Sequence, residues 1–436
     1  MGKVELTTAD ERLIEEAFTT KTDEIAWPSP LAPEAYHGLA GDIVRTIEPH
    51  TEADPAALLF SLFVLFGNVI GRRSYFVAEA DRHYCNLFAC LVGTTSKGRK
   101  GVSLGQVKQL FGFDSEWSGD RVVQGMSSGE GLIWQVRDQQ TELVSDKNGE
   151  QKEKIMVDGI EDKRLTVVES EFASTIRVLR REGNTLSAIV RKAWDDGNLQ
   201  ALTKNSPAKS TDAHISILAH ITKDELLRYL EDTEAANGFG NRFLWVCVKR
   251  SKCLPEGGRL HEVDMAGLHK RLKDAVDFGS RTRELKRDDE ARKLWVDVYP
   301  ELSEGKPGLT GAMLARSEAQ VMRLACIYAL LDQSEVIRFE HLAAALAVWD
   351  YCEASARFIF GDSVGDPVAD SILDMLKEAG AEGASRTDIS NYFSRNKKPE
   401  QINRALKTLE SRGLAECEIY SGSGRPLERW FIKGVE

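Results

Sequence analysis

Apolar residues run almost unbroken from Leu58 to Ile70 (LLFSLFVLFGNVI), interrupted only by Ser61, Gly67 and Asn68. The run falls short of the roughly 20 residues a spanning helix needs, and its flanks are charged, so it predicts a buried core helix. An amphipathic stretch near Tyr36–Thr46 predicts a helix before it, and Pro28, Pro30 and Pro33 punctuate an arm ahead of both. Further on, short apolar runs alternate with helical periodicity. Asn86–Val92, Arg164–Phe172 (RLTVVESEF), His214–Ile221 (HISILAHI) and Phe243–Val248 (FLWVCV) predict strands. Phe172–Arg180, Thr185–Trp194 and a segment beginning at Lys223 predict helices between them. That alternation implies an α/β layer with a mainly parallel sheet. Residues 140–164 are polar and read as an exposed hairpin or insertion. From about Asp288 to Phe360 the pattern is purely helical, notably over Ser317–Leu331 and Phe339–Phe360, and Gly361–Asp366 (GDSVGD) reads as a linker.

Composition narrows the class. The chain has 436 residues, with 57 Lys+Arg against 68 Asp+Glu and a formal charge of −11. That balance excludes a uniformly basic nucleic-acid coat but permits a local basic face. The opening MGKVELTTADERLIEE has no apolar h-region, and no membrane partner is expected. Seven cysteines lie far apart with no C-x-x-C pair, which argues against zinc and disulfide frameworks and for a reduced cytoplasm.

The stretch LFACLVGTTSKGRKGVS (Leu87–Ser103) delivers a strand into a loop rich in glycine and cations. Gly93, Gly98 and Gly101 allow backbone N–H groups to turn around an anion, and Lys97, Arg99 and Lys100 supply charge. Thr95, Ser96 and Ser103 add hydroxyls, and a helix following the loop would add its dipole. The strict pattern G-x-x-x-x-G-K-[ST] is not met: counting from Gly93, Arg99 stands in the lysine place and Lys100 one residue later. Lys100 is the expected phosphate lysine, with Lys97 second; the alternative is a solvated basic turn.

In RLTVVESEF, Glu169 and Glu171 lie two apart and share a face if the strand continues. One would orient a metal-bound water network and the other polarise an attacking water; the alternative is a solvated carboxylate pair. His220-Ile221-Thr222 places polar side chains at the end of a third strand, where open α/β sheets bind ligands, although His220 also fits a buried imidazole. Arg242 precedes a fourth strand and fits either a structural turn or an arginine finger acting across a subunit interface.

VGTTSKGRKGVS, SSGEGLI (Ser127–Ile133), VVESEFA (Val167–Ala173), AWDDGNL (Ala193–Leu199), HITKDEL (His220–Leu226) and NGFGNRFLW (Asn237–Trp245) follow one another in this order. In that order they resemble a family of bacterial and phage proteins found on mobile elements, similar to the helicase half of phage and plasmid primase–helicases, without a primase segment. The resemblance spans roughly Pro28–Phe360. It implies a RecA-like or AAA+-like P-loop NTPase that binds ATP and Mg2+, forms a homo-oligomer such as a hexameric ring, and acts on DNA with replication partner proteins. It makes Lys100 the phosphate lysine within the nucleotide loop Gly93–Gly101, Ser103 a metal ligand beside Glu169, Glu171 the catalytic carboxylate and Arg242 the finger. Thr222 joins the catalytic set. The divisions implied are an N-terminal arm and helices (1–52), an ATPase core (53–286), a helical lid (287–361) and a C-terminal domain (366–436). Arg316 and Arg323 in the lid fit either nucleotide contacts or surface and interhelical positions.

The last segment reads as a winged helix: PVADSILDMLKEAG, then RTDISNYF capped by Ser385, then Pro399–Ser411 as recognition helix, then two strands around a Gly/Ser/Arg wing. From Arg386 to Lys433 there are ten Lys/Arg and six Asp/Glu. Arg395, Lys397, Lys398, Arg404, Lys407 and Arg425 cluster at the helix and wing, as phosphate contacts require. Protein docking is the alternative for this module. The expected function is a DNA-dependent ATPase with a helicase-like role in replication of a mobile element or phage. The alternatives are a nucleotide-gated DNA-binding regulator with little hydrolysis and a scaffold that binds no nucleotide.

Overall fold

The computed structural model describes residues 26–94, 100–145, 151–181, 183–201, 208–230, 237–306, 308–361, 366–411, 413–420 and 427–433. Five parallel strands form the central sheet: β1 (Phe88–Gly93), β2 (Val122–Gln124), β3 (Arg164–Glu169), β4 (His214–Thr222) and β5 (Phe243–Cys247). Their spatial order is β5-β1-β4-β3-β2. β1, β4 and β5 are buried almost throughout, as continuous apolar runs covered on both faces should be.

The apolar run becomes the helix Pro55–Val69, started by Asp54, whose carboxylate accepts from Ala56 N–H. Its three interruptions each have a packing reason. Ser61 donates back to Ala57 O. A Cβ on Gly67 would lie 2.1 Å from Cys85 O, so the helix can approach that backbone only with glycine. Asn68 donates to Leu165 O and His214 O at the beginnings of β3 and β4, and accepts from Trp117 Nε1 at 2.9 Å. A buried amide with all these partners pins the helix in register beneath the sheet.

A smaller sheet combines Tyr75–Ala78, Asp81–Tyr84, Glu284–Arg287 and Val336–Ile337. The strand Val336–Ile337 corrects the purely helical reading of 288–360. Two residues are too few for periodicity to register, and parallel pairing with Lys286 and Arg287 defines them. The polar stretch 140–164 contains the antiparallel hairpin Gln140–Ser145 and Gln151–Val157. Ser317–Leu331 and Phe339–Phe360 are helices packed on each other.

Residues 366–433 have their own core, including Ile372, Leu376, Ile389, Ile402, Leu409 and Trp430. Helices Pro367–Ala379, Arg386–Tyr392 and Pro399–Ser411 accompany a three-stranded antiparallel sheet of Ala384–Ser385, Leu427–Ile432 and Ala415–Tyr420. Among the described residues, no helix is long and apolar enough to cross a membrane.

Candidate functional site

The strand order creates one crevice. The chain leaves β1 toward β2 at one edge of the sheet, and leaves β4 in the opposite direction, past β1, to β5. Oppositely directed connections from neighbouring strands open a gap at their carboxyl ends, where α/β sheets take ligands. Register aligns Gly93 of β1 with Thr222 of β4, and Glu169 of β3 with Ala219.

Lys100 opens the helix Lys100–Lys108 and sits at this gap. Its Nζ donates to Ile221 O at 3.0 Å. Burial lowers its pKa, because a partly desolvated ammonium is disfavoured. His220 on β4 is 3% exposed, and its Nε2 has no hydrogen-bond partner among the described residues. Burial, with the Lys100 charge adding to it, pushes its pKa down to about 4, so the imidazole is neutral at neutral pH. The Lys100 ammonium, bonded to a carbonyl, and a buried neutral imidazole whose Nε2 has no partner among the described residues thus lie near one another at the carboxyl end of β4. An anionic oxygen is the chemistry that such a pair accommodates.

The other predicted residues divide. Glu169 ends β3 and is buried; it accepts from Met126 N–H at 2.5 Å, tying it to the loop after β2. Burial raises its pKa, opposed by that hydrogen bond and by one from Thr175. Glu171 lies at the N-terminus of the helix Phe172–Leu179, exposed and making no side-chain cap bond. The strand ends at Glu169, so the two carboxylates diverge in burial rather than sharing a strand face. Thr222 caps the helix Lys223–Tyr229 in a reciprocal box with Glu225. Gly101 is exposed, with open space about its Cα. Ser103 is buried; its hydroxyl donates to Lys100 O at 2.7 Å and lies 3.4 Å from Ser61 Oγ, which turns it into the protein rather than toward the crevice. Thr95, Ser96, Lys97, Gly98 and Arg99 lie outside the described residues, as does Arg425.

Ser127–Ile133 reaches the same edge. Ser128 caps the helix Gly129–Trp134, and a Cβ on Gly129 would meet Thr185 Oγ1 at 2.5 Å, so this segment packs by close approach.

Arg242 stands at the opposite edge, at the amino end of β5. A strand of this length separates the two edges by roughly 15 Å. Its guanidinium is held by Asp195 at 2.7 Å and by Gly238 O. Arg316 approaches the same Asp195 at 3.7 Å. Arg323 is 1% exposed, lies 3.6 Å over the Trp194 ring and donates to Asn86 O and Trp194 O. Arg323 is therefore an interhelical arginine, the second of its two readings.

In the C-terminal unit, Arg395, Lys397, Lys398, Arg404 and Lys407 are all exposed. Arg404 and Lys407 line one side of the helix Pro399–Ser411 with Asn403 and Thr408.

One cluster escaped the sequence reading because its members are far apart in the chain. His37, Asp332 and His341 present ligand atoms within 4.8 Å of one another. Arg338 N–H donates to His341 Nδ1 at 3.1 Å, which leaves the proton of a neutral ring on Nε2, facing Asp332. A metal at Nε2 needs the opposite tautomer, with Nδ1–H donating outward. The cluster is a hydrogen-bonded clamp rather than a metal centre.

Neither a protein-family model nor a curated protein matches the chain.

Proposed function

We propose that the chain is a P-loop-type ATPase of RecA-like or AAA+-like architecture that acts on DNA, with the β1–β4 crevice as its nucleotide site. The observation that carries this reading is Lys100 Nζ, partly desolvated and bonded to Ile221 O at the gap where strand connections diverge. In this reading Lys100 meets terminal phosphates, the loop Gly93–Gly101 and the following helix N-terminus supply N–H donors, and neutral His220 donates to or accepts from the same group. Glu171, solvent-facing beside buried Glu169, is the carboxylate free to polarise water. Mg2+ bound here would screen phosphate charge, and Glu169 at the end of β3 is the carboxylate that would hold it.

The C-terminal unit is read as a winged helix, from three helices and a three-stranded sheet, with exposed basic residues on the helix Pro399–Ser411 facing DNA phosphate. A second reading, nucleotide-gated DNA binding with little turnover, is favoured by one observation: the buried Ser103 hydroxyl donates to Lys100 O, away from the crevice. ATP turnover with and without single-stranded DNA tests these readings. DNA-stimulated turnover supports the ATPase, binding without turnover the regulator, and neither the scaffold.

A further inference from the structure

Among the described residues, the small sheet carries exposed side chains on one face. The helix Ser317–Leu331 packs against one side of it. Alternation along Tyr75–Ala78 buries Phe76 on that side and turns Tyr75 and Val77 outward, Val77 being 38% exposed. The register places Tyr84 opposite Tyr75 and Arg82 opposite Val77. The two tyrosine rings meet edge to face at 5.7 Å. Arg82 stands 4.8 Å from the Tyr75 centroid, and Arg72 stands 3.8 Å from that of Tyr84. Arg72 also donates to Ala213 O, so it fixes the Tyr84 ring from one side. On the third strand, Glu284 stands beside Tyr75 on this outward face and Lys286 follows it, with its side chain 76% exposed and its Nζ 3.9 Å from Glu284 Oε1.

Charge points the same way. Segments 72–84 and 281–287 hold seven Lys/Arg and three Asp/Glu in a chain of charge −11, with Arg287 turned to the covered side over Phe76 and Trp295. Paired aromatic rings interleaved with guanidinium and ammonium groups on an open sheet form a stacking platform with phosphate counter-charges. A protein partner would be better served by a continuous apolar patch, and duplex DNA offers no free base faces.

We infer that this face binds single-stranded nucleic acid, with bases stacked on Tyr75 and Tyr84 and phosphates paired with Arg82 and Lys286. The inference rests on the nucleic-acid part of the proposed function, and not on hydrolysis at the crevice.

The test uses full-length protein and fluorescein-labelled oligothymidylate, read by anisotropy over a salt series, with Mg·ATP binding measured in parallel. Tyr75→Ala and Tyr84→Ala should each weaken oligothymidylate binding at least about fivefold, the low end for loss of one base–aromatic stack. Tyr75→Phe and Tyr84→Phe should retain wild-type affinity. Arg82→Ala and Lys286→Ala should each reduce the salt slope by about one, and ATP affinity should stay unchanged throughout. Photo-crosslinking of the wild-type protein with bromouracil oligonucleotide should label Tyr75 or Tyr84, a readout that does not depend on any variant folding. Alanine variants with wild-type affinity, or crosslinks confined to other segments, would overturn the platform. A wild-type protein that binds ATP but no oligothymidylate would also overturn it while leaving the nucleotide site standing. Oligothymidylate binding without ATP binding would do the reverse.

Discussion

Arg242 and Asp195 close a bidentate ion pair at the amino-terminal edge of the sheet, with Nη2 2.7 Å from Oδ2 and 3.0 Å from Oδ1. The pair joins the two stretches AWDDGNL and NGFGNRFLW, which the sequence places far apart. Arg242 is buried, whereas Asp195 is about a third exposed, at 36%. Arg242→Ala should therefore destabilise the core by about 2 kcal/mol, below the about 3–5 kcal/mol for breaking a fully buried pair. Urea unfolding checks this. If Arg242 also completes a neighbouring protomer's crevice, turnover per folded molecule falls while ATP affinity holds, because a finger acts on transition-state charge. Wild-type stability and turnover together would remove both roles.

The clamp of His37, Asp332 and His341 should make stability depend on pH. The hydrogen bond to Asp332 raises the His37 pKa more than burial lowers it. Burial alone would raise the Asp332 pKa, but hydrogen bonds from His341 and His37 outweigh it and hold the carboxyl well below the usual range. His37 thus contributes stability that is full below its ordinary pKa of about 6.5 and fades as pH rises through the raised value. Asp332 contributes stability that is present above about pH 4 and lost as pH falls through its depressed value. Tm should decline on going from about pH 6 to about pH 9, and His37→Ala should flatten that decline. An equal decline in the variant would contradict the clamp.

Gly38 tests the same contact sterically. It has φ +53°, and a Cβ there would lie 2.2 Å from Asp332 Oδ1. Gly38→Ala should cost about 1–3 kcal/mol from backbone strain alone, with the clash adding to it. A thermal melt matching the wild type would rule out this packing.

The two cores should separate. A chain ending at residue 361 retains every buried residue of the larger core, so it should fold with the parent secondary structure. It should bind duplex or forked DNA more weakly, with a flatter salt dependence, because the basic helix is gone and fewer counterions are released. Unchanged affinity and slope would make the C-terminal unit a protein-docking module.

Glu169 and Glu171 can be told apart by the same substitution. Glu171→Gln should keep ATP binding and suppress hydrolysis, since the exposed carboxylate makes no capping bond to its helix that the change would remove. Glu169→Gln weakens a charge-assisted bond to Met126 N–H and should lower stability by about 1 kcal/mol. Turnover at the wild-type rate in both variants would remove the catalytic assignment of this pair.

Much of the α/β layer was legible because buried parallel strands leave unmistakable apolar runs, as in HISILAHI and FLWVCV. β2 was not: its residues Val122–Gln124 are half-buried or exposed and number only three, too few to show a period. The small sheet was missed for a related reason, since its strands come from segments around residues 75, 284 and 336 and carry charge on one face. At the crevice, residue types and order nominated Lys100 and the carboxylates as candidates. Side-chain direction was not readable, so the inward turn of Ser103 and the confinement of Arg242 by Asp195 emerge only from packing.

Mg·ATP affinity of the wild-type protein and of Lys100→Ala, measured by titration calorimetry, bears most directly on the crevice. Wild-type binding should be saturable, and the variant should lose at least about tenfold, equivalent to about 1.4 kcal/mol. Lys100 donates to a carbonyl from a half-buried position, so a parallel melt is needed to show that the variant remains folded. Equal affinity in a folded variant, or no binding by the wild type, would contradict a nucleotide site between β1 and β4.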